Sequence, residues 1–358
     1  SIEEVVNIIL NAGGVPVLAH PYLMKMSDER LEEEIKTLRA GAFAYCYSLT
    51  SVNFPACLTI GTGTFQSCTS LASVSLPVCA TIADGAFTYC SSLTSINLPN
   101  CTRIGSYAFG SCTSLTSISF PNCAFINNNA FYNCISLTSA NFPECTTSIG
   151  DNAFYNCSGF TGSLTIPKGV TSIGSYAFYN CLSLTSVNFP ACTSIYNSAF
   201  ENCTSLASIS FPRCTRIGNY AFQGCSSLVT IGFSSCTTIS PYAFRSCISL
   251  TSVNFPKCIA ISNNAFYRNY SLTRASFPIC RQISSNAFYQ CSKLISLYLD
   301  QTTSVCTLAN SNAFTSTPIG GYSTVAGRYG SIYVPEDLLA SYKTATNWTY
   351  FSKRFVEV

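Results

Sequence analysis

The stretch AFYNCLSLTSVNFPACTSIYNS, from Ala177 to Ser198, decides the fold, because close variants of it recur along most of the chain. The phenylalanine of each AF or TF pair marks the repeat. Successive marks lie 22 residues apart, except for steps of 23, 24 and 26 residues into Phe154, Phe178 and Phe314. This fixed period, with Leu, Ile and Phe at set offsets, is typical of a solenoid with one coil per repeat. The marks are Phe43, Phe65, Phe87, Phe109, Phe131, Phe154, Phe178, Phe200, Phe222, Phe244, Phe266, Phe288 and Phe314.

The segment LTSVNF within the repeat predicts one short parallel strand per coil. It alternates apolar and polar residues, and alternation with a period of two is typical of a half-buried strand. Pro190 follows, and it ends the strand and turns the chain because proline cannot donate to a sheet ladder. Ile195 then points inward beyond the corner. The AF pair is predicted to re-enter the core on a helical or 3₁₀ turn.

Stacking of the coils supplies the predicted core. A single coil cannot hide its Leu, Val, Phe and Ile, but parallel coils about 4.8 Å apart place like residues in continuous buried columns. We therefore expect Phe109 and Phe131 to share one interior column. Burial of each phenylalanine contributes roughly 1.5–3 kcal/mol before entropy is considered.

The composition predicts a neutral polar surface. Of the 358 residues, 47% are hydrophobic and only 9% are charged, so Ser, Thr, Asn and Tyr must form most of the exterior. Ordinary soluble domains carry roughly 25% charged residues. No apolar run approaches the roughly 20 residues that a membrane-spanning helix requires, and we expect no transmembrane segment.

The 22 cysteines are predicted to be buried free thiols. Eleven follow the AF pair, and ten lie at the corner after the strand, where all but Cys236 follow a proline; Cys306 stands alone. Neighbouring cysteines of one column would lie about 4.8 Å apart with parallel side chains, whereas a disulfide requires Cβ atoms about 3.8 Å apart and a torsion near 90°. Free cysteine behaves as a small hydrophobic residue. So many free thiols suit a reducing or anaerobic habitat.

No constellation of residues predicts catalysis, a cofactor or a metal site. The shortest spacing between cysteines is 11 residues, whereas zinc sites use pairs separated by two to four residues. His20 is the single histidine, so serine nucleophiles lack a general base. Acidic residues are sparse in the repeats, and no Gly-rich phosphate loop is present. We therefore predict that the protein is not an enzyme.

Residues 1–40 depart from the repeat and carry seven of the 15 acidic residues. Their pattern predicts a helix from Ser1 to about Asn11, a strand over Val15–Ala19 and a second helix from Ser27 to about Leu38. The segment is predicted to serve as an N-terminal cap or to hang loosely.

The repeat resembles the BspA-like leucine-rich repeats of bacterial surface proteins. The family pattern IGxxAFxxCxxLxxIxxP is matched from Ile104 to Pro121, and the resemblance covers residues 41–314. It implies a right-handed leucine-rich-repeat superhelix of α/β type. Residues 315–358 resemble the end segment of such proteins, and we expect them to form a C-terminal cap around Trp348.

Residues 1–40 resemble a fragment of the PHP (polymerase and histidinol phosphatase) phosphoesterase family. The stretch VPVLAHP carries the resemblance, which implies that His20 comes from the neighbourhood of that family's metal site. The other ligands of that site have no counterpart in this chain. The resemblance therefore does not imply phosphoesterase activity.

Three sets of side chains are candidates for contacting a partner. Outward strand positions form a row of Ser and Asn that binds an extended partner or only solvates the sheet. Tyrosines beside the AF pair either bind, since tyrosine is frequent in binding surfaces, or pack between coils. Eight basic residues and no acidic residue lie between Arg213 and Lys293, which favours attraction of acidic proteins or anionic glycans. The candidates are Ser186, Asn188, Ser208, Ser210, Tyr179, Tyr267, Tyr289, Arg213, Arg245, Lys257, Arg268 and Arg274.

These observations predict a non-catalytic adhesion or interaction solenoid whose partner is a protein or glycan macromolecule. A net charge of +3 is too small to favour nucleic acid. The family resemblance implies an extracellular or cell-surface location, and we expect a monomer. A structural or receptor-binding component of a phage particle is the alternative, indicated by the uniform, nearly neutral repeats.

Overall fold

A computed structural model describes residues 37–38, 40–142, 148–165 and 169–358 of the chain. The described residues belong to two compact units. Unit 1 comprises the chain up to Val170 together with Ala177–Leu182, and unit 2 comprises Thr171–Tyr176 and Ser183–Val358. Each unit is built from coils that contribute two short parallel strands, one on either side of the proline corner.

In unit 1, the strands that precede the proline form the serine sheet, and the strands that follow it form the isoleucine sheet. The strands of the serine sheet are β2 (Ser51–Asn53), β4 (Ser73–Ser75), β6 (Ser95–Asn97), β8 (Ser117–Ser119) and β10 (Ser139–Asn141), and β12 (Gly162–Thr165) occupies the same place in the irregular repeat. The strands of the isoleucine sheet are β1 (Thr37–Leu38), β3 (Thr59–Ile60), β5 (Thr81–Ile82), β7 (Arg103–Ile104), β9 (Phe125–Ile126) and β11 (Ser148–Ile149).

Unit 2 repeats this arrangement. Its serine sheet has two groups: β14 (Leu184–Asn188), β16 (Ser208–Ser210) and β18 (Thr230–Gly232), then β20 (Ser252–Asn254), β22 (Arg274–Ser276), β24 (Ser296–Tyr298), β26 (Ser331–Val334) and β27 (Phe355–Glu357). Its isoleucine sheet contains β13 (Ser172–Ile173), β15 (Ser194–Ile195), β17 (Arg216–Ile217), β19 (Thr238–Ile239), β21 (Ala260–Ile261), β23 (Gln282–Ile283) and β25 (Thr307–Leu308).

The parallel solenoid predicted from the repeat is confirmed, but the prediction of one strand per coil was incomplete. The second strand is only two residues long, too short for a period of two to be visible in the sequence. Proline turns the chain between the two strands as predicted, since the Cys192 amide donates to the Phe189 carbonyl across Pro190 at 3.2 Å.

The AF pair lies on a single 3₁₀-type turn in most coils, as the Gly110 amide donates to the Tyr107 carbonyl at 2.9 Å, and this turn does not extend into a helix. Two residues four positions apart, such as Tyr107 and Ser111, have φ of 55° and 58° on either side of the pair. These left-handed residues interrupt any helix. Alternate amides donate to the neighbouring coil, as the Phe109 amide does to the Ala130 carbonyl at 2.9 Å. In the described residues, a 3₁₀ helix carries the pair in Ser311–Phe314.

The core of each unit is a set of stacked columns. In unit 1, the Phe109 ring stacks on Phe131 at a centroid distance of 5.4 Å and an interplanar angle of 1°. In unit 2, Phe200 stacks on Phe222 at 5.3 Å and 1°. All four rings are fully buried. The predicted registration of like side chains is therefore confirmed within each unit.

The repeat begins earlier than residue 41. Thr37 and Leu38 form a strand that pairs in register with Thr59 and Ile60, whereas the sequence predicted a helix to about Leu38. Leu38 occupies the position of the isoleucine column and is buried there, which explains the strand. The predicted helix from Ser1, the strand over Val15–Ala19 and the start of the second helix lie outside the described residues.

The C-terminal residues pack against the last coil of unit 2. A 3₁₀ helix (Glu336–Leu338), helix α1 (Leu339–Thr344) and a second 3₁₀ helix (Thr349–Arg354) follow β26. The Trp348 indole donates to the Cys306 carbonyl at 2.6 Å, and the Tyr342 hydroxyl accepts from the Cys306 amide at 2.9 Å. Both side chains are fully buried. The cap over residues 315–358 stays a prediction.

We expect Trp348→Ala to lower the free energy of unfolding by about 3–5 kcal/mol. The substitution removes a large buried aromatic side chain together with its hydrogen bond and leaves a cavity. Urea denaturation would measure the loss. Tyr350→Ala is the matched control, since Tyr350 lies two residues away and is 74% exposed. Equal losses for the two variants would contradict a capping role for Trp348.

Candidate binding surfaces

The serine sheet of unit 2 presents two outward rows of polar side chains. Strands β14 and β16 pair so that Ser186 faces Ser208 and Asn188 faces Ser210. Asn188 and Ser210 are exposed, and Ser186 and Ser208 are half-buried. None of these four side chains makes a hydrogen bond to another described residue. Their hydroxyl and amide groups are therefore available to a partner.

Threonines elsewhere on the coils behave differently. The Thr138 hydroxyl donates to the Thr116 carbonyl at 2.9 Å, and Thr116 donates to the Thr94 carbonyl at 3.1 Å. In unit 2, Thr215 donates to the Thr193 carbonyl in the same way at 3.3 Å. Threonine hydroxyls thus join successive coils. The outward serine and asparagine side chains of the serine sheet make no such bond to the described residues.

The tyrosines that follow the AF pair mostly pack on each other. In unit 1, Tyr155 stacks on Tyr132 at a centroid distance of 4.9 Å and on Tyr179 at 4.8 Å. In unit 2, Tyr267 stacks on Tyr289 at 5.2 Å. All five rings are half-buried. Since ring faces are covered by neighbouring coils, packing explains Tyr179, Tyr267 and Tyr289 better than binding does.

Two of the candidate arginines belong to the same aromatic column. The Arg245 guanidinium lies between the Tyr242 and Tyr267 rings, 5.7 Å and 5.4 Å from their centroids. Arg268 lies 5.1 Å from the Tyr267 centroid, and its Nε donates to Gln290 at 2.9 Å. Cation–π contacts of this length stabilise exposed sites by roughly 0.5–1 kcal/mol. These arginines have structural partners within the chain.

A stack on the serine sheet was missed by the sequence analysis. Arg274 lies 4.0 Å from the Tyr298 centroid, and Tyr298 stacks on Tyr333 at 4.4 Å. Register explains the contact, because Tyr298 and Tyr333 are directly paired and Arg274 faces Ser296 on the next strand. The sequence signal for this contact was an Arg at a repeat position usually occupied by Ser, together with Tyr at two repeat positions usually occupied by Asn or Ser.

The basic residues of unit 2 do not form one patch. Arg245 and Arg268 lie beside the AF pair, and Arg274 lies on the serine sheet. Arg213 and Lys257, in contrast, follow the proline corner two coils apart and are exposed. The basic residues that lie close together in the sequence are therefore distributed over different sides of the coil.

Burial raises the pKa of most of the described cysteines, as it does for Cys79, Cys90 and Cys134. All of them are free and buried, from Cys46 to Cys306. Most of those after the AF pair donate to the carbonyl of the AF phenylalanine in the preceding coil, as Cys90 Sγ does to Phe65 at 3.1 Å. Desolvation raises the pKa of Cys90 to about 12. At the first coil, a hydrogen bond with Cys68 instead lowers the pKa of Cys46.

One position of the thiol column carries an amide. Asn269 replaces cysteine, is fully buried, and donates from Nδ2 to the Phe244 carbonyl at 2.8 Å. Its Oδ1 has no hydrogen-bond partner among the described residues. The amide thus keeps the donor role of the thiol and leaves one acceptor unsatisfied.

No group of three or more His, Cys, Asp or Glu side chains that could hold a metal ion occurs in the described part of the chain. His20, the residue on which the phosphoesterase resemblance rested, lies outside the described residues. None of the described helices has the length and hydropathy needed to span a bilayer.

Paired parallel strands, stacked phenylalanine columns and a 22-residue period define a leucine-rich-repeat solenoid. The family model of the BspA-type leucine-rich repeat region matches residues 36–161, 124–235, 160–272 and 215–324. The chain belongs to this family. The match starts at residue 36, and the resemblance of residues 1–40 to a phosphoesterase stays a prediction.

Solved structures of bacterial repeat proteins are similar to this chain. A leucine-rich repeat protein from Bacteroides ovatus is 25% identical over 73% of this chain and 82% of its own, with a TM-score of 0.55. A leucine-rich cell surface protein from Faecalibacterium prausnitzii is 25% identical over 88% and 85%, with a TM-score of 0.45. No curated protein matches the sequence.

Proposed function

We propose that the protein is a non-catalytic binding scaffold of a bacterial cell surface and that its serine sheet contacts a macromolecular partner, foremost a protein. The observation that carries the proposal is the difference between the two kinds of polar row. Threonine hydroxyls such as those of Thr138 and Thr215 donate to the preceding coil, whereas the outward Ser and Asn side chains of the serine sheet have no partner within the described residues.

A parallel sheet with regularly spaced donors and acceptors suits an extended protein segment. Paired residues such as Ser186 and Ser208 repeat with the coil spacing of about 4.8 Å, so hydrogen bonds can add up over several coils. Each net hydrogen bond contributes about 0.5–1.5 kcal/mol, which makes a multi-coil contact specific without any single dominant residue. Family membership supports the surface location.

The test starts with an array of extracellular-matrix proteins and glycans probed with the full chain. The variant in which Ser186, Asn188, Ser208 and Ser210 are all replaced by Ala should bind the strongest protein hit at least tenfold more weakly, since four hydrogen-bonding groups are lost. In the matched control, Ser172, Ser194 and Thr238 are replaced by Ala. These residues lie on the isoleucine sheet of the same unit, and this variant should bind like the wild type.

Unchanged affinity of the serine-sheet variant, or an equal loss in the control, would contradict the proposal. Adhesion to host or neighbouring cells is the role that this surface supports if the array hit is a matrix protein. The alternative, a component of a phage particle, stays a prediction. Phage tail genes next to the coding sequence would favour it.

A further inference from the structure

A cavity of 150 Å³ opens on unit 2 where the repeat is irregular, beyond β24. The segment from Gln301 to Ser304 bulges in place of the usual proline corner, and this departure from the repeat creates the space. The lining residues are Ile259, Ile279, Arg281, Gln301, Thr302, Thr303 and Ser304. The site lies away from the serine sheet, beside the isoleucine sheet.

The lining combines one cation, polar side chains without hydrogen-bond partners in the described chain, and an apolar wall. Arg281 is exposed, and its guanidinium makes no hydrogen bond or ion pair with the described residues. The side chains of Gln301, Thr303 and Ser304 are likewise without hydrogen bonds in the described chain. Thr302 is occupied, because its hydroxyl donates to the Leu299 carbonyl. Asp300, the nearest acid in the sequence, is not among the lining residues.

This chemistry matches a single acidic sugar unit. A guanidinium pairs with a carboxylate or sulfate through two parallel hydrogen bonds. Hydroxyls and an amide recognise sugar hydroxyls, and the two isoleucines offer an apolar surface to the C–H face of the ring. The volume is smaller than the roughly 300–1,000 Å³ of ordinary small-molecule pockets, which limits the occupant to about one monosaccharide.

Further cations continue from the cavity along the axis of the stack. Lys257 follows the proline corner one coil before Arg281, and Arg213 and Arg216 lie two coils before Lys257. All three are exposed, and none contacts an acid in the described residues. The coil spacing of about 4.8 Å separates them along the stack axis by roughly 5 Å from Arg281 to Lys257 and by roughly 10 Å from Lys257 to Arg213.

We propose that this cavity binds an acidic sugar unit of a linear anionic polysaccharide and that Lys257, Arg213 and Arg216 contact its following anionic units. The site is separate from the serine sheet. The chain thus carries two binding surfaces, one for hydrogen-bonded recognition and one for a polyanion.

Calorimetric titration at low salt tests the proposal with polygalacturonate, dextran sulfate, neutral dextran and free galacturonate. The wild type should bind at least one of the two acidic polymers and not neutral dextran. Arg281→Gln should weaken that binding at least tenfold. The double variant Arg213→Gln, Lys257→Gln should weaken polymer binding but leave the affinity for the monosaccharide unchanged, where a carboxylate sugar is the ligand.

Arg268→Gln is the matched control, because Arg268 is an exposed cation of the same unit beside the AF pair. Its affinity for the acidic polymers should equal that of the wild type. The proposal is overturned if neither acidic polymer binds, if Arg281→Gln binds as tightly as the wild type, or if polyglutamate binds as well as the polysaccharides. The serine-sheet variant should keep polysaccharide binding, which separates this result from the fate of the proposed protein surface.

Discussion

Alkaline solution should unfold both units between about pH 9 and pH 11 when a reductant keeps the thiols from oxidising. Burial raises the pKa of Cys79 to about 11 and that of Cys134 to about 12, compared with an ordinary value of 9.0. Thiols with raised pKa values occur along both units. They are Cys57, Cys68, Cys79, Cys90, Cys101, Cys112, Cys123, Cys134, Cys157, Cys192, Cys214, Cys225, Cys236, Cys247, Cys258, Cys291 and Cys306.

The sign of the effect follows from proton binding. Between the pKa of the unfolded thiol and the higher pKa of the folded one, the folded state keeps a proton that the unfolded state has lost. The free energy of unfolding therefore falls as pH rises through this window and is unaffected below it. Each thiol removes about 1.4 kcal/mol per pH unit. The summed loss from the many thiols exceeds the free energy of unfolding of a typical folded domain, which is roughly 5–15 kcal/mol.

Far-ultraviolet circular dichroism from pH 7 to pH 11.5 would follow this transition. A variant with serine at Cys192, Cys214, Cys236 and Cys258 is the control, since a hydroxyl can donate to the same carbonyl that accepts from each thiol, as Arg216 accepts from Cys214 at 3.2 Å. Urea midpoints at pH 7.5 and pH 9.5 should differ less in this variant than in the wild type. Identical pH dependence in the two proteins would refute the role of the thiols.

The fold was predictable because every coil repeats the same constraints. Residues equivalent to Phe109, Leu115 and Pro121 recur at fixed offsets, so one repeat predicts the structure of its neighbours. The burial of Phe109 and Leu115 agrees with this prediction. The turn around the AF pair was less predictable. Tyrosine is a poor candidate for a left-handed position, yet Tyr107 has φ of 55° because the stack dictates that backbone.

The candidate surfaces were predictable only where they follow the repeat. The serine rows are periodic, and their exposure could be read from the alternation of the strand. The Arg274–Tyr298 contact and the Arg281 cavity depend on single departures from the repeat and on side-chain direction. A sequence pattern cannot show whether a tyrosine face is covered by the next coil, which is why Tyr179 and Tyr267 were left open between binding and packing.

Phe109→Ala should be the most damaging single substitution in unit 1, with a loss of about 3–5 kcal/mol in the free energy of unfolding. Phe109 is fully buried and stacks on Phe87 at 5.3 Å and on Phe131 at 5.4 Å. Phe120 contacts the same ring at 5.8 Å. Alanine would open a cavity that interrupts the aromatic column, and the rigid backbone stack cannot collapse to fill it.

Phe125→Ala is the matched control, because this phenylalanine lies in the same unit on β9 and is 49% exposed. Urea denaturation should show a loss below about 1 kcal/mol, in keeping with a surface substitution. Comparable losses for the two variants would mean that the column of buried rings does not hold the coils together.

Hydrogen exchange would locate the damage from Phe109→Ala. Coils of a solenoid contact only their neighbours, so stability is lost locally and not evenly along the stack. The amides of Phe87 and Phe109, which donate to carbonyls of the following coil at 2.7 Å and 2.9 Å, should exchange much faster in the variant. The Phe43 amide, two coils before Phe87 and bonded to the Thr64 carbonyl at 2.8 Å, should change least. Uniform acceleration along unit 1 would instead indicate that the unit unfolds as a single cooperative body.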